Sequence, residues 1–314
     1  MSLRLEPPFG DFILPFQIEG AGVRGRLVRL DAAVDGMLER HAYPPVVAAL
    51  LAETMAMTAV LASGLKFDGV FTLQIHGDGP VRLLVTDVTS DGNMRGYARF
   101  DDAGLGVATG MPAAPVPRLL GAGHMAFTVD QGPHTERYQG ITPLEGRTLT
   151  DCAHLYFRQS EQLDTALLLA VSDMAMPAGQ RRAAALMIQQ LPPAAGALPE
   201  EPSDDPWRRA VILMGSATPA ELLEPALDPG RLLYRLFHED GVRVFRRRLL
   251  RHHCRCSRTR VERTLLAFPR SELSDMAVDG VVRVTCEFCK AEYVFDDQAL
   301  ERLFEPAVRR AHRP

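Results

Sequence analysis

The sequence predicts an α+β protein in three parts: a mixed core domain with antiparallel-rich sheets, a helical linker and a small zinc-binding domain. Short strands with alternating apolar residues, separated by turn residues and joined by one long apolar helix, predict the core domain. A proline-rich stretch then interrupts the pattern, and two closely spaced cysteine pairs follow near the C-terminal end. The predicted boundaries are 1–192, 193–246 and 247–314.

Composition and charge restrict the class of protein. The chain has 314 residues, of which 46% are hydrophobic and 24% charged, a balance typical of a soluble globular protein. A net charge of −4 argues against a general nucleic-acid-binding chain. Glu6 and Asp11 lie where a signal peptide would carry an apolar run, so we expect a cytoplasmic protein in a reducing environment.

The longest apolar segment, Val46–Leu65, must be weighed as a membrane span. Pro44 and Pro45 start it and Gly64 ends it, as expected for a helix. Glu53 lies near its middle, and a charge there costs about 2.5 kcal/mol or more in a bilayer. We therefore predict a buried core helix.

Alternating residues predict the strands of the core domain. A strand over 23–31 leads to a helix through Met37, Leu38 and His41, and the long helix is followed by a hairpin whose turn is Gly77-Asp78-Gly79-Pro80. A phosphate-binding loop is the alternative for this glycine-rich turn, but no helix follows it. Further strands are predicted over 94–100, 124–130, 136–141, 165–171 and 183–191.

A helix beginning at Thr148 places Leu149, Cys152 and Tyr156 on one face. Cys152 is therefore interpreted as a buried apolar residue and not as a fifth redox thiol.

The predicted linker consists of short helices with clear start signals. Thr218-Pro219-Ala220-Glu221 forms a capping box, and Asp228-Pro229 starts a second helix. Such short helices depend on docking for stability. Their apolar residues are Leu222, Leu223, Leu232, Leu233, Leu236 and Phe237.

Four cysteines form the strongest chemical signal. Cys254 and Cys256 are separated by one residue and Cys286 and Cys289 by two, and the intervening segment is long enough to fold back. This spacing predicts a four-cysteine zinc site. His252 and His253 are alternative ligands, but four sulfurs already complete a tetrahedron.

The same cysteines leave a redox role open beside a purely structural one. A Cys-x-Cys pair can also close as a small, strained disulfide. Nine arginines lie between Arg243 and Arg263, and positive charge favours the reactive thiolate. Ser257 is expected to cap a helix with Val261, Leu265 and Leu266 on its apolar face, and its dipole would act in the same direction. A second helix is expected to start at Ser271-Glu272-Leu273, and strands to flank the Cys286–Cys289 turn.

Several stretches resemble the heat-shock protein 33 family over about Val23 to Phe295. The specific stretches are the Cys-x-Cys and Cys-x-x-Cys pattern with CSRTRVERTLL (256–266) and VTCEFC (284–289), and upstream LKFDG (65–69), QIHGDGP (74–80), MRGYAR (94–99), ERYQG (136–140) and RLLYRLFHED (231–240). This resemblance implies a redox-regulated, ATP-independent holdase chaperone and not an enzyme.

The resemblance also implies the roles of the cysteines. The reduced residues Cys254, Cys256, Cys286 and Cys289 would hold one zinc ion and keep the protein inactive. Oxidation would join Cys254 to Cys256 and Cys286 to Cys289 and release the metal. The zinc domain would then unfold and the linker would detach. Its apolar surface would act as the switch and bind unfolding client proteins, with a homodimer possible in the oxidised state. The candidate switch and client-binding residues are Leu222, Leu223, Leu232, Leu233, Leu236 and Phe237.

Two rival functions follow from the same cysteine-rich segment. The arginines suggest a zinc-ribbon nucleic-acid-binding protein, although the nearby aromatic residues are typical of a core. The CEFC motif suggests a thiol-disulfide oxidoreductase, but that motif should open a helix after a strand and is here expected between two strands.

Overall fold

The structure is a computed structural model that describes residues 10–304 except 110–113, 133–134, 136, 162 and 192–204. The chain divides into two compact units, of which the first ends at His253 and the second begins at Cys254. The α+β class is confirmed: three sheets are present, and helices alternate irregularly with strands. The predicted division into core, linker and zinc domain remains a prediction about function.

The first sheet of unit 1 has the order β10-β1-β2-β9-β8, with β11 also paired to β1. All of its pairings are antiparallel. Its strands are β1 (Phe12–Ile18), β2 (Val23–Leu30), β8 (Thr165–Val171), β9 (Ala183–Gln190), β10 (Val242–Val244) and β11 (Arg248–Leu249).

The second sheet of unit 1 has the order β12-β5-β4-β3-β6-β7. It is antiparallel except for the pairing of β12 with β5. Its strands are β3 (Val70–Gly77), β4 (Val81–Thr89), β5 (Asn93–Phe100), β6 (Gly123–Asp130), β7 (Tyr138–Pro143) and β12 (Arg251–His252). The predicted hairpin turn is confirmed, and Gly77 is needed there because a Cβ atom would lie 2.2 Å from the Leu120 carbonyl oxygen.

Helix α2 (Pro45–Ala62) packs against strands of both sheets, and most of its residues are buried. It passes a length and hydropathy test for a membrane span, but 78% of it is buried inside the protein. The predicted core helix is therefore confirmed. Glu53 lies on it, and burial raises the pKa of its carboxyl to about 7.

The predicted helix starts at Thr148, Thr218 and Asp228 are confirmed. The helix predicted through His41 ends at Leu38, and no start signal was predicted for the helices over 102–109 and 205–215. The described part of unit 1 has six α-helices besides α2. They are α1 (Ala32–Leu38), α3 (Asp102–Thr109), α4 (Leu149–Tyr156), α5 (Asp205–Gly215), α6 (Pro219–Leu223) and α7 (Pro229–Phe237), with π-helical turns at Val116–Leu120 and Phe157–Glu161. Thr148 and Thr218 each form a capping box, with Asp151 and Glu221 respectively. Cys152 is fully buried, as predicted.

The first sheet is covered on both faces. Val28 and Leu30 of β2 point into the core around α2, whereas Val23 and Leu27 point to the opposite face, because side chains alternate along a strand. Helices α5–α7, here called the linker helices, cover that opposite face. The predicted docking of the linker helices on the core is therefore observed, and these helices belong to unit 1.

Some elements differ from the sequence prediction. No element was assigned to the first 22 residues, yet β1 lies in the middle of the first sheet. The strand predicted over 136–141 is β7, and Glu136 lies outside the described residues. The proline-rich segment falls almost entirely outside them as well.

Up to Phe304, where the described residues end, unit 2 contains a two-stranded sheet and three helices. They are β13 (Val281–Thr285), β14 (Glu292–Asp296), α8 (Arg258–Leu265), α9 (Arg270–Asp275) and α10 (Asp297–Phe304). Its core is small and is formed by Leu265, Leu273, Val282, Phe295 and Leu300. Leu266 was predicted on the apolar face of α8 but is 47% exposed, because the helix ends at Leu265 and Leu266 is its C-cap.

Candidate metal centre

Local structure places the two cysteine pairs in unit 2. Cys254 and Cys256 precede α8, whose N-cap Ser257 accepts a hydrogen bond from the Arg260 amide at 3.3 Å. Cys286 follows β13, and its carbonyl accepts a hydrogen bond from the Lys290 amide at 2.8 Å. This bond closes the Cys286–Cys289 turn between two strands, as predicted.

The four sulfur atoms meet at one point. They all lie within 4.8 Å of one another. Cys254 Sγ is 3.8 Å from Cys286 Sγ, and Cys256 Sγ is 3.4 Å from Cys289 Sγ. A tetrahedral zinc site with Zn–S bonds of about 2.3 Å has sulfur–sulfur edges of about 3.8 Å, so the group fits this metal in size and donor type.

One further side chain contacts the cluster. The Tyr293 hydroxyl, on β14, donates a hydrogen bond to Cys256 Sγ at 3.1 Å. Residues of this kind hold metal ligands in position from outside the coordination sphere. The sequence analysis placed Tyr293 in a strand but assigned it no role at the site; its spacing of four residues from Cys289 was the available signal.

The thiols differ in acidity. Burial raises the pKa of Cys254 and raises that of Cys289 to about 12. Burial also acts on Cys256, but hydrogen bonds from Tyr293 and the neighbouring thiols outweigh it and lower its pKa. All five cysteines of the chain are free thiols in this structure.

The arginines predicted to activate the thiols have other contacts. Arg243 pairs with Glu19, Arg251 donates to Asn93 Oδ1 at 2.6 Å, and Arg248 donates to the Ser90 carbonyl at 3.4 Å. Arg258, in unit 2, lies over the Phe295 ring at 4.3 Å. Arg243, Arg247 and Arg258 pair with the carboxylates of Glu19, Asp228 and Glu262, which offsets part of the positive charge on which a nucleic-acid interface would depend.

The predicted switch residues lie against the first sheet of unit 1. Leu223 is half-buried, and the other five are buried: Leu222, Leu232, Leu233, Leu236 and Phe237. The Phe237 ring stacks on Phe16 of β1 with a centroid distance of 5.8 Å. Gly25 of β2 makes room for this contact, because a Cβ atom there would lie 2.0 Å from the Phe16 ring.

Arg29 also holds the linker helices, and the sequence analysis missed it. Its side chain is fully buried on β2, where Nη1 donates to the Leu227 carbonyl at 2.6 Å and Nη2 to the Glu221 carbonyl at 3.1 Å. Burial lowers its pKa to about 10, so the group stays charged at neutral pH. An arginine in a strand that is otherwise buried was the signal available in the sequence.

Comparisons with known proteins agree with one another. The family described as "Hsp33 protein" matches residues 11–296. Proteins named "33 kDa chaperonin" are similar over nearly their whole length: one from Caulobacter vibrioides is 42% identical, covering 91% of this chain and 95% of the relative. One from Pseudomonas fluorescens is 36% identical, covering 96% and 95%. The crystal structure of a 33 kDa chaperonin from Thermotoga maritima has a TM-score of 0.76 at 23% identity, covering 95% of this chain and 99% of that one, which shows the shared fold.

Proposed function

This chain belongs to the Hsp33 protein family, and on that premise we propose that it is a redox-regulated, ATP-independent holdase chaperone. Family membership supports a chaperone function; the regulation is our proposal. Its clients would be unfolding proteins in the cytoplasm under oxidative stress, and we expect no enzymatic activity. The observation that carries the proposal is the group of four thiol sulfurs within 4.8 Å of one another.

In the reduced state, Cys254, Cys256, Cys286 and Cys289 would hold one zinc ion. Bound zinc supplies a crosslink between the two cysteine pairs and favours their thiolate forms. The small apolar core of unit 2 supports this dependence, since domains of this size often need a metal to fold.

Oxidation would convert each pair to a disulfide, Cys254 with Cys256 and Cys286 with Cys289. Each bond removes two protons and two electrons from two thiols, and a peroxide that accepts them is reduced to water. Disulfide sulfurs no longer act as thiolate ligands, so the metal would be lost. All four sulfurs lie within 4.8 Å of one another, so the distances do not show which cysteines would form disulfides with each other. The pairing proposed here rests on the family resemblance.

Loss of order in unit 2 would weaken the linker contact through the chain itself. The chain between α7 and Cys254 is held by three short strands, β10, β11 and β12, the last two of only two residues each. Such strands contribute little stability alone. We propose that they loosen with unit 2 and that the linker helices then detach from the first sheet, exposing apolar surface for clients and for possible dimerisation.

The test is to measure zinc and free thiols before and after peroxide treatment, beside an assay of client aggregation. We expect one zinc per reduced chain, loss of zinc with loss of four thiols, and suppression of aggregation only after oxidation. Peptide mapping by mass spectrometry then identifies the pairs. A reduced protein without zinc, or zinc unchanged in a Cys286→Ser, Cys289→Ser variant, contradicts the proposal.

A further inference from the structure

A cavity of about 110 Å³ lies in unit 1, and none of the described residues that line it is a cysteine or belongs to the linker helices. It is lined by the end of α2, by the aromatic residues of β3, β6 and α4, and by β2 and β9. Tyr138, which is 51% exposed, stands at its edge, so the cavity reaches the surface there. The proposed chaperone mechanism makes no use of this cavity.

Five of the twelve residues that line the cavity are aromatic, and four of their rings lie side by side. The ring of Phe127 lies 6.3 Å from Phe71 and 4.3 Å from Tyr156, and Tyr156 lies 5.5 Å from Phe157. A dry apolar cavity of about 150 Å³ in another protein is large enough to bind benzene. The space here is smaller, but it opens to the surface at Tyr138, so it suits at most a single ring or a branched aliphatic group.

One end of the cavity carries positive charge. Arg24 lines it, and its Nε atom is buried without a hydrogen-bond partner among the described residues. Arg26 points to the same side of β2 and donates to Gln189 Oε1 at 3.3 Å. Within the described part of the chain, neither guanidinium pairs with a carboxylate. Burial, and after it the charge of Arg24, lowers the pKa of Arg26 to about 10.

The negative end of the α2 helix dipole offsets only part of this positive charge. A Cβ atom at Gly64 would lie 3.8 Å from Arg26 Cζ, so Arg26 lies beside the negative end of the helix dipole. That end is equivalent to about half an elementary charge, whereas the two guanidinium groups carry two. A site with excess positive charge and aromatic walls favours an anion with an apolar body.

We propose that this cavity binds a small carboxylate with an aromatic or branched apolar body. The carboxylate would pair with Arg24, because a guanidinium matches the planar, bidentate geometry of this group. The apolar body would lie against Phe127 and Tyr156. A phosphate fits less well, because its larger charge would have to lose more water next to apolar walls.

The proposal is tested by NMR titration of the reduced full-length protein with phenylacetate and with phenylacetamide, its neutral analogue. We expect the acid to bind about tenfold more tightly than the amide. A hydrogen bond to a charged group is stronger than one to a neutral group by an amount that corresponds to about a tenfold change in affinity. In Arg24→Gln this preference should disappear, and in Arg24→Lys it should be reduced. Arg283→Gln, at an exposed strand position of unit 2, is the matched control and should keep the full preference.

Equal binding of acid and amide by the native protein would overturn the proposal, as would no binding of either. An unchanged preference in a folded Arg24→Gln variant would also overturn it. If that variant does not fold, the comparison of acid and amide with the native protein and with Arg24→Lys decides the question. Because the protein stays reduced throughout, this outcome is independent of the proposed redox switch.

Discussion

Arg29 and Leu227 are joined by a hydrogen bond in which the buried guanidinium donates to a backbone carbonyl oxygen at 2.6 Å. Arg29 belongs to the first sheet and Leu227 to the turn between α6 and α7, so this bond fixes the linker helices to the core. The second bond, to the Glu221 carbonyl, fixes the preceding helix. Apolar packing holds the helices on the sheet, and Arg29 fixes where they lie.

Replacing Arg29 by methionine should weaken this docking. Both carbonyls lose their donor, which costs about 1 to 3 kcal/mol for a group left unsatisfied. We expect faster hydrogen exchange in α6 and α7, and partial suppression of client aggregation without oxidant. Arg231→Met removes an exposed arginine from α7 itself and should change neither measurement. Equal behaviour of the two variants would show that Arg29 does not hold the linker.

Charged substitutions on the buried face of α7 should release the linker more completely. Leu232 and Leu236 are at most 2% exposed, and burying such a side chain contributes about 1.5 to 3 kcal/mol. A Leu232→Asp, Leu236→Asp variant, or a truncation after Val244, should therefore suppress aggregation without oxidant. Tyr234→Asp, at a position of the same helix that is 63% exposed, should remain inactive until oxidised. An inactive but folded double variant would mean that the linker is no switch.

Tyr293→Phe should weaken retention of the metal. The variant loses the hydrogen bond to Cys256 Sγ but keeps the ring, and loss of such outer contacts costs about tenfold or more in metal affinity. Transfer of zinc to a competing chelator, followed with a metal-sensitive dye in the absence of oxidant, measures the effect. Tyr234→Phe, on the linker, serves as the control. Identical transfer curves would assign Tyr293 a packing role only.

Cys152→Ser should leave oxidative activation intact. Cys152 is fully buried on α4, and burial raises the pKa of its thiol to about 11, so almost no thiolate exists at neutral pH. Peroxide should accordingly consume four thiols in both the native protein and the variant, with one thiol surviving in the native protein. Loss of a fifth thiol in folded protein would contradict this assignment.

Glu53 predicts a pH dependence of stability. Burial raises its pKa from 4.5 to about 7 in the folded state, so the folded protein binds this proton more tightly than the unfolded chain. The contribution of this proton to the free energy of unfolding is fully present below pH 4.5 and is lost as the pH rises through about 7. This contribution of Glu53 to the free energy of unfolding amounts to at most about 3 kcal/mol.

Urea unfolding followed by circular dichroism at pH 5.5 and pH 8.5 measures this effect. The native protein should lose more stability between these two values than Glu53→Gln, whose amide does not ionise. The same dependence in both proteins would show that Glu53 is hydrated in the folded state.

Local sequence was enough to predict the metal centre. The spacing of Cys254, Cys256, Cys286 and Cys289 and the turn between two strands identified four cysteines whose sulfurs lie together and could hold a metal ion, because the geometry of each pair is set within a few residues. The capping boxes at Thr148 and Thr218, the hairpin turn at Gly77 and the core helix around Glu53 were predictable for the same reason: their hydrogen bonds and periodicity are local.

Long-range contacts decided the rest. The short strands β10–β12 exist through pairing with distant strands, so their own sequences carry little signal. Strand β1 instead forms a local hairpin with β2, and the sequence analysis left its residues unassigned. The role of Arg29 depends on carbonyls almost two hundred residues away, and that of Tyr293 on a sulfur of the other cysteine pair. The cavity beside Arg24 likewise exists only after two sheets and two helices have packed together. The sequence by itself determined which residues can bind a metal. The tertiary structure alone decided which residues hold the linker and line the cavity, because the contacts of the linker and of the cavity join segments that meet only in the folded chain.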